Sequence, residues 1–308
     1  MKRLLFLFLL LPALASAYQD SPRAVIETAM NNIRTEQYTA VDESVLFEPS
    51  HHAEVLQVLS GYYADSLSMV RDRAYHYTRR VGQASDVAAV RAQAVAQLIT
   101  GMSDADGIVV NTVLSGLGGF SFGDFSESQK STIAGYLQTS LPHYDKLLRL
   151  AGFLQLEDQA ALIRAKAYDR GQSRAVRWAA KMAMARLGDE AILNSIITKL
   201  ESVAINEDIV YEIFPDLIYT RQPAAIEFMV SVLNSEERNC YPANPDATQK
   251  IPCGYRVMEF FPGVIEDFPL QRGASGDIET DDYREALQTA REWFKINSGS
   301  YSINKERM

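Results

Sequence analysis

From Pro22 onward, apolar residues recur at helical spacing almost everywhere, and sustained period-two alternation of β-branched residues is hard to find. The pattern predicts an all-α chain. Its clearest stretch begins at Ser173, a suitable N-cap, and places Val176, Ala179, Ala180, Ala183 and Leu187 on one face before Gly188 ends the helix. Asp189 can cap a second helix carrying Ile192, Ile196, Ile197, Leu200 and Val203. Only a tight turn separates the two stripes, so they predict a helical hairpin. The layout returns downstream, with Ile209, Ile213 and Leu217 on one helix, a break at Arg221-Gln222-Pro223, and Ile226, Met229, Val230 and Leu233 on the next. Starts near 173 and 207 give a period of about 34 residues, inside the range of helical repeat arrays.

Upstream the pattern is looser. Val70, Ala74, Tyr77 and Val81 mark one helix and Val87, Val90, Ala94 and Leu98 its partner; further helical stretches follow near 106–117, 127–139, 141–154 and 157–169. Closely joined helices without strands form a bundle or a stacked solenoid, and similar hairpins at a similar period favour the solenoid. Val176-Arg177-Trp178-Ala179-Ala180, then Ala183, then Ala185-Arg186-Leu187-Gly188-Asp189-Glu190-Ala191, resembles one unit of a HEAT-like repeat, and Val70-Arg71-Asp72-Arg73-Ala74 echoes its opening. Pro215 departs from the pattern by lying inside an expected helix. The resemblance implies an α-α superhelix of the HEAT/ARM-like kind over residues 18–236 and a role in protein interaction.

The two ends read differently. Lys2 and Arg3, an apolar run over 4–11 and Ala15-Ser16-Ala17 form the pattern of a cleaved export signal over 1–17, with cleavage before Tyr18. The run is too short to span ~30 Å of hydrocarbon, so no stable membrane insertion is expected after cleavage. An exported chain, periplasmic or secreted, meets oxidising conditions, and its two cysteines, Cys240 and Cys253, are expected to form one disulfide pinning a proline-rich loop. Residues 237–296 then read as this loop plus a C-terminal helical cap. The cap holds a helical run through Val257, Phe260, Phe261, Val264 and Ile265, and a last helix opened by Asp281 or Asp282 with Ala286, Leu287, Ala290 and Phe294 on one face. Residues 297–308 read as a mobile tail.

The chain has 308 residues, 47% hydrophobic, enough to bury a substantial core. Its net charge of -9, more negative still without Lys2 and Arg3, opposes binding to a phosphate backbone, so nucleic acid is not expected as a partner. Against that acidic background Arg71, Arg73, Arg79 and Arg80, interleaved with Tyr75, His76 and Tyr77, form a basic and aromatic patch. Arginine and tyrosine are enriched in interface hot spots; Arg71, Arg73, Tyr75, Arg79 and Arg80 are therefore the candidate partner-binding residues.

Other motifs argue less. Gly119-Phe120-Ser121-Phe122-Gly123 matches G-x-S-x-G but lacks the surrounding parallel sheet that would expose a serine nucleophile, so an inter-repeat loop is the better reading. His51-His52-Ala53-Glu54 offers metal-binding side chains, yet adjacent histidines diverge on a helix, which favours a helix-start surface. Asp277-Ile278-Glu279-Thr280-Asp281-Asp282 lacks the glycine and final glutamate of a calcium loop and reads as helix-capping acids. Asp104-Ala105-Asp106-Gly107 reads as a turn. No catalytic residue, cofactor or metal is expected. The sequence thus points to an exported, non-catalytic scaffold that binds a protein or peptide. The alternative is an all-α hydrolase or lyase assembled between repeats, using Ser121, His143 and the His51-His52 pair.

Overall fold

The computed structural model describes residues 21–242, 246 and 248–308, so the export-signal reading and the interior of the expected disulfide loop at 243–245 and 247 lie outside the described residues. Among the described residues every regular element is helical. The chain divides into two compact units, 1–147 and 148–308.

In the first unit, α1 (Pro22–Thr35), α2 (His52–Leu59), α3 (Ser68–Ala84), α4 (Ala88–Thr100), α5 (Gly107–Leu117) and α6 (Glu127–Tyr136) follow one another through short 3-10 turns and loops. Helix α3 buries Val70, Ala74, Tyr77 and Val81, as the spacing predicts, and also Tyr75, Thr78 and Gly82. It packs against both α4 and α5, which widens its buried face. Gly82 permits the close approach: a β-carbon there would meet the Ala94 methyl at 2.4 Å. Helix α4 buries Val90, Ala94, Val95, Leu98 and Ile99, but Val87, expected to open its stripe, is the N-cap and stands 55% exposed. Asp106 caps α5 by accepting from Ile108 N, and Ser126 with Gln129 forms a reciprocal capping box on α6.

Several side-chain ties in this unit span nearly the same interval, among others spanning 25 to 41 residues. Arg71 to Asp104, Gln83 to Gly116 O and Arg91 to Asp124 each join residues 33 positions apart, and Tyr77 to Glu43 and Tyr63 to Gln97 join residues 34 apart.

The second unit contains the end of α7 (Tyr144–Phe153), then α8 (Ala160–Tyr168), α9 (Arg174–Arg186), α10 (Glu190–Glu201), α11 (Glu207–Thr220), α12 (Pro223–Asn234), the single turn α13 (Gly254–Val257) and α14 (Tyr283–Ile296). The hairpin expected at Leu187-Gly188-Asp189 forms. Gly188 adopts φ +94°, its N–H reaches Ala185 O, Asp189 N–H reaches Met184 O, and the Asp189 side chain then accepts from Ile192 N to start α10. Helix α9 is buried over five consecutive residues, Met182 to Arg186, instead of along one stripe, because it packs on α8, α10 and α11. Helix α11 turns its face by one residue from the expectation: Val210, Phe214 and Leu217 are buried, while Ile209 and Ile213 are half-buried. Pro215 is accommodated within α11 on its exposed side.

The run after Cys253 is not one helix. It consists of α13, a 3-10 turn over Met258–Phe260, and then Pro262 and Gly263, the latter at φ +75°, although Val257, Phe261, Val264 and Ile265 are buried as expected. Asp282 caps α14, which buries Ala286, Leu287, Ala290 and Phe294. Cys240 and Cys253 stand at disulfide-bonding distance, with Cα atoms 5.1 Å apart, and paired hydrogen bonds between Cys240 and Ile251 close the loop's neck.

In place of the mobile tail expected over 297–308, the chain there is docked. Glu266 N donates to Ser302 O, Asn304 N donates to Val264 O at 2.8 Å, and Ile303 pairs with Ile265. Polar composition gives no hint of this, because the docking uses backbone groups.

Candidate functional site

The patch on α3 separates into buried and exposed parts. Arg71 donates from Nε and Nη2 to the two oxygens of Asp104, at 2.6 and 2.7 Å, and from Nη1 to Asp65 O at 2.7 Å. These bonds hold the Asp104 carboxyl below the usual carboxylate range. Tyr75 is 2% exposed, stacked on Tyr63 with ring centres 4.3 Å apart, its hydroxyl 3.1 Å from Thr100 Oγ1. Both were candidates for partner contact; Tyr75 is core and Arg71 is an internal clamp.

Arg73 and Arg80 remain exposed and flank Glu43 at 3.6 Å each, and the Arg80 guanidinium lies 3.9 Å from the Phe47 ring centre. Between them Tyr77 donates to Glu43; burial, then this contact, pushes its hydroxyl up to about 12. Arg79 is half-buried, its stem packed on Gly116 and its Nη2 3.5 Å from His76 Nδ1. Burial and the arginines around it lower the pKa of His76. The accessible part of the patch is thus Arg73 and Arg80, with Arg79 at its edge.

Ser121 is the cap of a 3-10 turn in a reciprocal box with Asp124, and Asp124, buried, accepts from Arg91 Nε at 2.8 Å. This is capping geometry, with the acid held by arginine instead of orienting a histidine. His51 Nδ1 lies 3.1 Å from Val45 O; His52, expected on a helix-start surface, is buried with Nε2 3.1 Å from Phe47 O. Among the described residues no group of three histidine, cysteine, aspartate or glutamate side chains is placed to hold a metal ion.

A second arginine setting, not anticipated from sequence, lies in the second unit. Arg186, the last residue of α9, is 3% exposed, and Arg221, the C-cap of α11 at φ +53°, is 4% exposed. Arg186 Nη1 donates to Tyr219 O at 2.5 Å, and its guanidinium lies 5.1 and 5.0 Å from the Phe153 and Tyr219 ring centres. Its Nη2 donates to Arg307 O at 2.9 Å and Lys305 O at 3.3 Å; Nε, buried, has no partner. Arg221 donates from Nη1 to Ile218 O at 2.6 Å, from Nε to Asn304 O at 2.9 Å, and from Nη2 to Met308 O at 3.3 Å and Arg307 O at 3.5 Å. Among the described residues no aspartate or glutamate is ion-paired with either guanidinium.

Two positive charges are thus buried near one another against main-chain oxygens. Burial, then the nearby Arg186, pushes Arg221 down to about 10, and burial lowers Arg186 as well. The sequence did carry a signal. Arg186 continues the buried stripe three residues after Ala183, and Arg221 follows Leu217 by four, where a surface arginine would break the pattern.

No protein-family model, curated protein or solved structure matches this chain.

Proposed function

We propose that the chain is an exported helical-repeat scaffold, HEAT-like in its stacking into an α-α superhelix, that binds an extended protein or peptide segment. The stacking is supported by the side-chain ties that span 33 or 34 residues. The observation that carries the binding role is the second unit's grip on residues 302–308: an extended segment is held through its main chain, four of its carbonyls reached by two buried arginines. Stacked helical hairpins present extended concave surfaces suited to such segments. Export to a periplasm or beyond is supported by the signal pattern and by the cysteine pair at bonding distance. No described helix is long and apolar enough to cross a membrane.

Panning a random-peptide display library on the purified full chain tests the binding role. A recurrent peptide family that binds with micromolar or better affinity is expected; the absence of any family enriched over the bare support contradicts it. N-terminal sequencing of chain recovered outside the cytoplasm tests export, with Tyr18 expected first and a retained Met1 contradicting it.

A further inference from the structure

The junction between helix α11 and the C-terminal cap holds one arginine shared by two acids. Arg256, on α13, stands between Glu207 at the start of α11 and Glu259 in the 3-10 turn that follows α13. Its Nε lies 3.7 Å from Glu207 Oε1 and its Nη1 3.9 Å from Glu259 Oε1, so neither carboxylate is within hydrogen-bond reach. Arg256 Nε and Glu259 Oε1 are buried and have no hydrogen-bond partner. Arg256 Nη2 donates instead to Tyr241 O at 3.2 Å, beside Cys240 in the neck of the disulfide loop. One guanidinium thus meets α11, the loop neck and the cap, and closes on neither acid.

Glu259 is set against its own charge. Its side chain is 14% exposed. Around it stand Arg256, Arg272 and Asp277 of the turn bridged at Arg272 and Ile278, Tyr211 of α11, Tyr283 at the start of α14 and, across Arg256, Glu207. Arg272 directs Nη2 to the main-chain oxygen of Glu259. Burial raises the pKa of Glu259; Arg256 and Arg272 oppose the shift and Asp277 adds to it.

We propose that Arg256 is a proton-operated latch: shared between the two acids while Glu259 is ionised, it closes onto Glu207 when Glu259 is protonated and fastens the cap and the loop neck to α11. Closure exchanges two long contacts for a charge-assisted hydrogen bond, and the proton removes the like charge that Glu259 presents to Asp277. The sign is the reverse of the Asp104 clamp. A raised folded pKa makes the contribution complete below the unfolded value near 4.5 and lost as pH rises through the folded one. The latch adds regulation to the scaffold reading without depending on it.

The test follows amide hydrogen exchange on the purified full chain with its disulfide intact, corrected for the intrinsic pH dependence of exchange. The Arg256 and Val257 amides, both bonded to Cys253 O, are expected to gain about threefold in protection from about pH 7.5 to 5, while the Leu187 amide at the end of α9 is unchanged. Glu259→Gln, a neutral stand-in for the protonated acid, should hold the higher protection throughout, and Glu207→Gln the lower. Protection that ignores pH in the unmodified chain, or a pH response that survives either substitution, overturns the latch. Carbon-13 NMR of the Glu259 carboxyl needs no variant: its midpoint should lie above 4.5, and the Arg256 Nε–H resonance should move with the same midpoint. A midpoint at or below that value, or an Nε–H resonance that does not respond, overturns it as well.

Discussion

Arg71 in the first unit and Arg186 in the second occupy comparable places and meet opposite partners. Each lies on a helix that turns its face to the next hairpin, and each reaches a residue 33 positions further on. For Arg71 that residue is Asp104, and the result is a two-point ion pair; Arg91 pairs with Asp124 through a single Nε bond at the same interval. For Arg186 it is Tyr219, whose carbonyl and ring accept the guanidinium but cannot neutralise it. Arg221 adds a second buried guanidinium nearby, likewise bonded to main-chain oxygens. The same side chain at the same interval therefore closes an ion pair where an acid follows and a main-chain bond where a tyrosine does.

The largest effect should come from breaking the clamp. Arg71→Met leaves the half-buried Asp104 without its counter-charge and is expected to cost about 2 kcal/mol, read by far-UV circular dichroism in urea. Both tryptophans, Trp178 and Trp293, belong to the second unit, so their fluorescence serves as the internal control and should shift less. An equal shift in both signals would show that the loss is not local to the clamp.

Next comes pH. Asp104 has its folded pKa depressed by Arg71, so its contribution is present above the unfolded value near 3.8 and is lost as pH falls through the folded value. Asp104→Asn should flatten this acid limb of a stability profile. An acid limb unchanged by Asp104→Asn would break the contrast. The alkaline side sharpens it: Tyr77, raised to about 12 by burial and Glu43, contributes stability that is full below pH 10 and lost as pH rises through 12, and Tyr77→Phe should remove that loss.

The smallest effect is expected at Ser121. As a cap, Ser121→Ala should cost about 1 kcal/mol in thermal unfolding and leave peptide affinity unchanged. A loss of binding or of any hydrolytic activity without this modest destabilisation would restore the serine to the site.

The helices were legible because burial and the 3.6-residue period coincide: α3, α10 and α14 present most of the stripes their spacing predicts. Helix α11 was misread by one residue because Val210 and Phe214 repeat at the same interval as Ile209 and Ile213, so periodicity alone could not choose between adjacent faces. The setting of Arg186 and Arg221 was hidden for a chemical reason. An arginine between alanine and leucine reads as a solvated side chain, and nothing in a linear pattern shows that its donors will be met by carbonyls 119 and 121 residues away. The docked segment was hidden likewise, since Asn304, Lys305, Glu306 and Arg307 are polar and contribute their main chain. The α3 patch was seen as composition, but only packing tells Tyr75 and Arg71 from Arg73 and Arg80.

Arg221→Met in the otherwise intact chain puts the contrast between the two arginine settings to its most direct test, with urea unfolding followed by tryptophan fluorescence. If Arg221 serves to hold an extended segment, removing its guanidinium should change stability by less than about 1.5 kcal/mol while the Asn304 amide loses its protection from exchange. A loss as large as that of Arg71→Met, with Asn304 still protected, would make Arg221 one more structural clamp.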